Sequence, residues 1–229
     1  MSARLVRVPR AWGSGGEPME DAASMRLPIE TAATVDEPSL DRQIERMVEA
    51  MPERPVILGG CCCAHVGAAA GVAHRNGRIA VVWFDAHGDL NTPDTSPSGN
   101  LWGMPFRILL DDLVVRIDDS ILIGARNLDL PEQRYIDEVA LADDPVELSA
   151  VLNGVAGAYI AFDCDVLDPG DIDCFMPEPD GMGLDDAVAL VGEVAATTPV
   201  LGIGFTGLVA EHGNPARLMR LCAAAGLDS

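Results

Sequence analysis

Two apolar runs in this chain end in the same way, with metal-ligand residue types spaced two apart. These residues are Asp85, His87 and Asp89 after the run 79–84, and Asp163 and Asp165 after the run 158–162. In an extended chain, residues i and i+2 point to the same side, so each run can direct its groups to one point. Carboxylates at one point repel each other unless cations lie between them. The pattern therefore predicts a two-metal site at the carboxyl ends of parallel strands; solvated acids at two strand-end turns are the less favourable alternative.

Apolar runs alternate with helix-like segments along the chain, a pattern typical of a parallel sheet with helices on its faces. The predicted strands are 4–8, 55–58, 79–84, 120–124, 158–162 and 200–205. The predicted helices are 40–50, 64–73, 104–110, 131–141, 185–196 and 215–225. The segment 9–39 has no clear pattern. The irregular stretches 91–103 and 169–183 each follow a metal-type motif, and long loops in a compact domain usually serve function or motion.

Size and charge narrow the class of protein. A chain of 229 residues with 48% hydrophobic content can bury a full core, and we expect one domain, 1–229. No apolar stretch reaches the roughly 18 residues that span a bilayer. The net charge of -21 argues against nucleic acid or an anionic membrane as a partner. The N-terminus lacks a signal-peptide core, so the six cysteines are interpreted as reduced thiols of a cytoplasmic protein.

Four motifs carry a resemblance to the arginase and agmatinase family, the ureohydrolases. The stretch 85–93, Asp-Ala-His-Gly-Asp-Leu-Asn-Thr-Pro, followed by 98–101, resembles the family's central metal and substrate loop. The stretch 162–169 resembles its second carboxylate motif, and the glycine pair 59–60 resembles the pair before its first metal ligand. The stretch 123–129 resembles a loop that contacts the substrate's amino group. The resemblance extends from about residue 55 to the C-terminal helix.

The resemblance implies an α/β fold, a three-layer α/β/α sandwich with a mostly parallel sheet. It implies two divalent metal ions, with manganese as the first expectation, which activate a water for hydrolysis. Asp85 and Asp163 would bridge the ions, and His87 and Asp165 would complete one site. Asp89 would complete the other and orient the water, so Asp85, Asp89 and Asp163 are the catalytic candidates. Family members are commonly oligomeric, which implies a homo-oligomer.

Substrate-binding residues are also carried over from the resemblance, and they contact the backbone groups of an amino acid in the family. They are Asn91, Ser98, Asn100, Asp129 and Glu132. Trp102 stands where the family's substrate loop has a histidine, and we interpret it as a wall of the pocket. Gly207 stands where the last strand presents a glutamate to a guanidinium. Without that carboxylate the guanidinium lacks its ion pair, so arginine and agmatine are expected to be poor substrates.

Cys62 replaces the family's histidine ligand after the glycine pair. As a thiolate ligand it would favour zinc or iron over manganese at that position. A buried core thiol is an equally open interpretation. Cys164 should point to the opposite face from the two aspartates beside it. His65 follows Cys62 by one helical turn and is interpreted as a surface or core histidine rather than a ligand.

The function expected from these residues is hydrolysis of a C–N bond in a small guanidino, amidino or amide compound. Two alternatives stay open at this point. One is a catalytically silent relative that acts as a binding or assembly subunit, which the changes at Cys62, Trp102 and Gly207 favour. The other is an amide hydrolase on the same scaffold. The intact aspartate motifs favour an enzyme.

Overall fold

The computed structural model describes residues 2–228 and contains one seven-stranded sheet in which every paired strand is parallel. The strands are β1 Arg4–Val8, β2 Thr31–Thr34, β3 Pro55–Gly59, β4 Ala80–Phe84, β5 Ser120–Ile123, β6 Ala158–Asp163 and β7 Val200–Thr206. Their order across the sheet is β2-β1-β3-β7-β6-β4-β5. Strands β3 to β7 are almost entirely buried, because helices cover both faces of the sheet.

Eight α-helices accompany the strands within residues 2–228. They are α1 Glu17–Ala22, α2 Leu40–Ala50, α3 Cys63–Asn76, α4 Pro105–Asp111, α5 Leu130–Val139, α6 Leu148–Val151, α7 Leu184–Thr197 and α8 Asn214–Ala224. No helix in this part of the chain has both the length and the apolar character needed to cross a membrane.

Alternate residues along each strand enter two separate cores, one on each face of the sheet. Phe84 and Phe162 pack on the face that α7 and α8 cover. Trp83 and Tyr159 pack on the opposite face, where α2, α3 and α4 lie. This arrangement confirms the predicted three-layer α/β/α sandwich.

All six predicted strands and all six predicted helices are present, with ends that differ by a few residues. Among the strands and α-helices of residues 2–228, three were not predicted: β2, α1 and α6. Strand β2, of sequence Thr-Ala-Ala-Thr, lies at the edge of the sheet beside β1 and is largely exposed, so it carries little hydrophobic pattern. Helices α1 and α6 have six and four residues, too short for a helical period to be visible.

The chain crosses the sheet between β3 and β4, which lie on either side of the pair β7 and β6. A crevice at the carboxyl ends of parallel strands, beside such a change in strand order, is the usual ligand position in this class of fold. The four central strands β3, β7, β6 and β4 therefore deliver their C-terminal loops to one place.

Candidate metal centre

The loop after β4 places Asp85, His87 and Asp89 together, but not by the alternation expected of an extended strand. The chain leaves the strand at Phe84, and Asp89 has a left-handed backbone with a φ of 52°. The amide of His87 donates to Asp85 Oδ1 at 2.7 Å, which closes the turn. Trp83 Nε1 donates to Asp85 Oδ2 at 3.0 Å. The loop thus folds back on itself, and backbone and indole donors fix the Asp85 carboxylate.

The end of β6 is built in a similar way. Asp163 is the last residue of the strand, and its Oδ1 accepts the amide of Asp165 at 3.0 Å at the start of a 3₁₀ turn. Asp165 Oδ1 then accepts the amide of Ala86 at 3.0 Å. This last bond joins the β6 loop to the β4 loop and holds the two aspartate motifs side by side.

The predicted metal ligands form two adjoining groups. Ligand atoms of Cys62, Asp85 and Asp89 lie within 4.8 Å of one another, as do those of Asp85, His87 and Asp165. Asp85 belongs to both groups. The sixth predicted ligand, Asp163, approaches the first group, because its Oδ2 lies 2.7 Å from Cys62 Sγ. All six predicted ligands are therefore brought to one site.

The buried carboxylates at this site have raised pKa values, because their negative charges lie close together with little solvent around them. Burial, followed by the charges of Asp85 and Asp163, raises the pKa of Asp89 well above its usual range. Burial and the charge of Asp165 raise the pKa of Asp163 to about 7. Asp89 Oδ2 is buried without a hydrogen-bond partner among residues 2–228. The site thus combines an unpartnered carboxylate oxygen with further carboxylates, a thiol and an imidazole. These are groups that bind divalent cations.

His87 compensates part of this negative charge. Burial opposes its protonation, but hydrogen bonds to Asp165 and Asp85 and the charges of these residues outweigh that effect and raise the pKa of His87 to about 12. Its Nδ1 lies 3.0 Å from Asp165 Oδ2 and 3.4 Å from Asp85 Oδ1. His87 Nδ1 thus faces the carboxylate oxygens of Asp85 and Asp165, the two residues that would bind a cation together with His87.

Cys62 lies between β3 and α3 and is 7% exposed. Its Sγ donates to Asp163 Oδ2, and burial together with the charges of Asp163 and Asp89 raises the pKa of the thiol. The thiol is thus directed at the carboxylates, while the residue also packs against the core on the α3 side. Cys164, in contrast, packs in the core on the opposite face, as its place between two aspartates predicts.

A cavity of about 300 Å³ opens above these ligands. The predicted substrate-binding residues Asn91, Ser98, Asn100, Trp102, Asp129 and Glu132 all line it. Trp102 is 8% exposed and packs with its ring edge-on to Phe175 at 6.1 Å between centroids. This position agrees with the interpretation of Trp102 as a wall of the pocket.

Several of these polar residues also hold the loops together. Asn91 Nδ2 donates to Asp129 Oδ2 at 3.0 Å. Asn100 Oδ1 accepts the amide of Ser14 at 3.0 Å. Glu132 is buried, and its two oxygens accept the amides of Leu90 and Asp129. The Glu132 carboxylate is therefore already engaged in fixing the loop that carries Asp89.

Gly207 has a backbone that explains the absence of a glutamate. Its φ is +70°, which side-chain-bearing residues rarely adopt. A Cβ atom there would lie 2.3 Å from Asp163 Oδ1. The Asp163 carboxylate thus occupies the space into which a side chain at position 207 would project.

Glu178, in the loop 169–183, was not predicted as a site residue. Its Oε1 lies 3.5 Å from His87 Nε2 and accepts Asn127 Nδ2 at 2.9 Å. The Arg126 guanidinium donates to the carbonyl oxygens of Glu178 and Pro179, which anchors this part of the loop. Because the loop contains several acids, its sequence offers no signal that distinguishes Glu178 from solvated neighbours.

Comparison with known proteins agrees with the fold and with the family resemblance. The pattern of the Arginase family matches residues 14–208. The arginase of Bacillus subtilis (strain 168) is 32% identical over 157 residues, which is 58% of this chain and 53% of that protein. The chain thus spans about half the length of the curated relatives it matches.

Solved structures show the same fold at low sequence identity. A crystal structure of arginase from Bacillus subtilis superposes with a TM-score of 0.85 at 21% identity, covering 100% of this chain and 99% of that one. The structure of formimidoylglutamase from Bacillus subtilis subsp. subtilis str. 168 gives a TM-score of 0.77 at 19% identity, covering 100% and 86%. Since the family pattern covers most of its length, the chain belongs to the arginase family.

Proposed function

We propose that this protein is a binuclear metal-dependent hydrolase that cleaves a C–N bond in a small guanidino, amidino or amide compound. The observation that carries the proposal is the pair of ligand groups that share Asp85 at the base of a cavity of about 300 Å³. A cavity of this size suits a small molecule. Membership of the arginase family supports the same class of reaction.

One ion would be held by Cys62, Asp85 and Asp89, and the other by Asp85, His87 and Asp165. Asp163 would be shared between them. When bound, two divalent ions would lower the pKa of a water molecule and stabilise the charge that develops on the substrate. Manganese is the first expectation, and the thiol of Cys62 makes zinc or iron the alternatives.

The residues of the chain orient this chemistry. Trp83 and the amide of His87 fix the Asp85 carboxylate, and the amide of Asp165 fixes that of Asp163. Asp89 Oδ2 has no partner among the described residues, which leaves it available to orient the attacking water. Glu132 holds the backbone around Leu90 and thereby the position of Asp89.

Substrate recognition would use the polar rim formed by Asn91, Ser98, Asn100 and Asp129, with Trp102 as the apolar wall. The end that binds a guanidinium in the family is altered here, because Gly207 provides no carboxylate. A cationic guanidinium would therefore lack its ion pair, and a neutral amidine or amide group is the better match.

A cytoplasmic homo-oligomer is the form in which we expect the enzyme to act. All six cysteines lie in the described part of the chain and are free thiols. Light scattering of the purified protein tests the oligomeric state, and a molar mass of one chain at all concentrations would contradict it.

The proposed activity is tested by loading the purified protein with manganese, zinc or iron(II) and supplying a panel of small guanidines, amidines and amides. Release of urea, ammonia or the free amine from at least one compound is the expected result. A protein that binds two metals but hydrolyses nothing in the panel would favour the catalytically silent binding subunit.

A further inference from the structure

A second polar group lies behind the metal centre, on the side away from the cavity. It consists of His65 on α3, Tyr159 on β6 and Thr206 at the end of β7, and each of the three is at most 1% exposed. The hydrolytic reaction described above uses none of them. Buried polar side chains are costly unless they hydrogen bond to one another, so their partners reveal what the group does.

The three side chains form a continuous series of contacts that ends at a proposed metal ligand. Tyr159 Oη lies 2.9 Å from His65 Nδ1, and His65 Nε2 lies 3.0 Å from Thr206 Oγ1. Thr206 Oγ1 lies 3.1 Å from Asp163 Oδ2. Both ring nitrogens of His65 are therefore occupied, which agrees with its interpretation as a core histidine rather than a ligand.

The direction of each hydrogen bond follows from the number of available protons. A metal-binding carboxylate only accepts, so the single hydroxyl proton of Thr206 is donated to Asp163. Thr206 Oγ1 must then accept a hydrogen bond from the N–H group at His65 Nε2. The ring is 1% exposed and both of its nitrogens face uncharged hydroxyl groups, which favours the neutral form, so Nδ1 accepts the Tyr159 hydroxyl.

The surrounding residues are shaped to hold this series in place. A Cβ atom at Gly204 would lie 2.3 Å from Tyr159 Oη and 2.9 Å from His65 Nδ1, so the pair requires glycine there. The Trp83 ring meets the His65 ring edge-on at 5.1 Å between centroids. The same indole donates to Asp85, and the aromatic contact thus links the orientation of both shared carboxylates.

We propose that Tyr159, His65 and Thr206 form a one-directional hydrogen-bond chain that positions Asp163 for metal binding. His65 and Thr206 are positioning residues, because neither is among the residues that line the cavity. Partners that orient a ligand from behind commonly contribute 10- to 100-fold to metal affinity. The proposal rests on the metal centre proposed above, and the first of two measurements separates their failures.

The first measurement is the tautomer of His65 in the full chain without added metal, from the imidazole ¹⁵N chemical shifts, at a pH well above the raised pKa of Asp163 of about 7, so that this carboxylate is ionised and only accepts. The expected form carries its proton on Nε2. A proton on Nδ1 would overturn the chain of donors, whatever the protein hydrolyses. This readout needs neither metal nor activity, so it stands or falls separately from the proposed function.

The second measurement compares Thr206→Val with Thr206→Ser in the full chain, by calorimetric titration with manganese and with cobalt. Valine has the shape of threonine without the hydroxyl and should weaken binding of at least one ion by about 10- to 100-fold. Serine keeps the donor and should restore most of the affinity. Equal affinity of Thr206→Val and the parent would overturn the positioning role. A parent that binds no metal would instead refute the metal centre.

Discussion

Asp163 accepts three hydrogen bonds at the site. Its Oδ1 accepts the Asp165 amide, and its Oδ2 accepts both Cys62 Sγ and Thr206 Oγ1. Burial makes the charged carboxylate costly without positive charge nearby, as its raised pKa of about 7 indicates. These contacts leave the carboxylate little freedom to adopt another orientation.

Asp163→Ala should therefore abolish binding of at least one metal ion. The change removes a shared ligand and also leaves Thr206 and Cys62 without their acceptor. Plasma emission spectroscopy of the reconstituted variant measures the number of ions per chain. Full occupancy in Asp163→Ala, with the parent as control, would exclude the bridging role.

Cys62 offers a spectroscopic test of its own role. As a ligand its sulfur is a thiolate, so cobalt substitution should give a sulfur-to-metal charge-transfer band in the near ultraviolet, and metal binding should release a proton. The band should disappear in Cys62→Ser. It should survive in Cys61→Ser and Cys63→Ser, which are matched controls because both thiols are buried next to Cys62. If Cys62→Ser binds both ions as tightly as the parent, with an unchanged spectrum, the cysteine is a packing residue.

Gly207 makes a prediction about substrates. Under manganese loading, urea release from arginine or agmatine should stay near background, because no carboxylate at this position pairs with the guanidinium. Turnover at ~10 per second, a typical enzyme rate, would show that Gly207 does not correspond to the family's glutamate. Gly207→Glu should not restore activity, because its Cβ would meet Asp163 and its backbone φ of +70° is strained for glutamate.

At the scale of the elements, the strands that carry the site were predictable and the loops were not. Strands β4 and β6 appear in the sequence as apolar runs followed by aspartates, and the structure places them next to each other. The convergence of Asp85, His87 and Asp89 depends on a turn with a left-handed residue, which strand periodicity does not contain. Glu178 contacts the metal-ligand candidate His87, and His65 contacts Thr206 behind Asp163. Both contacts join segments far apart in sequence, which the sequence pattern does not reveal.

Glu178, in the loop 169–183, lies beside His87 Nε2, the ring nitrogen that points away from Asp85 and Asp165, and this contact can be tested. Carboxylates that accept the second nitrogen of a ligating histidine orient the ring and strengthen metal binding. Glu178→Gln should weaken the ion on the His87 side by about 10-fold, while the sulfur-to-cobalt band on the Cys62 side persists.

Asp180→Asn is the matched control for this loop, because Asp180 is exposed, two residues away, and asparagine tolerates its left-handed φ of 60°. Titration of the two variants with cobalt measures the difference. Equal weakening in both variants would mean that loop charge in general, rather than the contact with His87, affects the metal.

At the scale of the whole molecule, the sequence predicted the class of fold but not the order of the strands. Alternating strands and helices imply a parallel sheet, yet nothing in residues 55–84 indicates that β3 and β4 are separated by β7 and β6. That order brings four loops to one crevice, and it follows from packing across the sheet. The resemblance supplied the metal-ligand hypothesis, which stays a prediction, and the arginase family match confirms the family itself.

Metal stoichiometry tests the central claim most directly, because both ligand groups share Asp85. The purified chain, reconstituted with manganese, zinc or iron(II) and then freed of excess metal, should contain two ions per chain by plasma emission spectroscopy. Asp85→Ala, treated identically, should contain fewer than two. A parent chain that retains no metal, or an Asp85→Ala variant that retains both ions, would contradict a binuclear centre at the ends of β4 and β6.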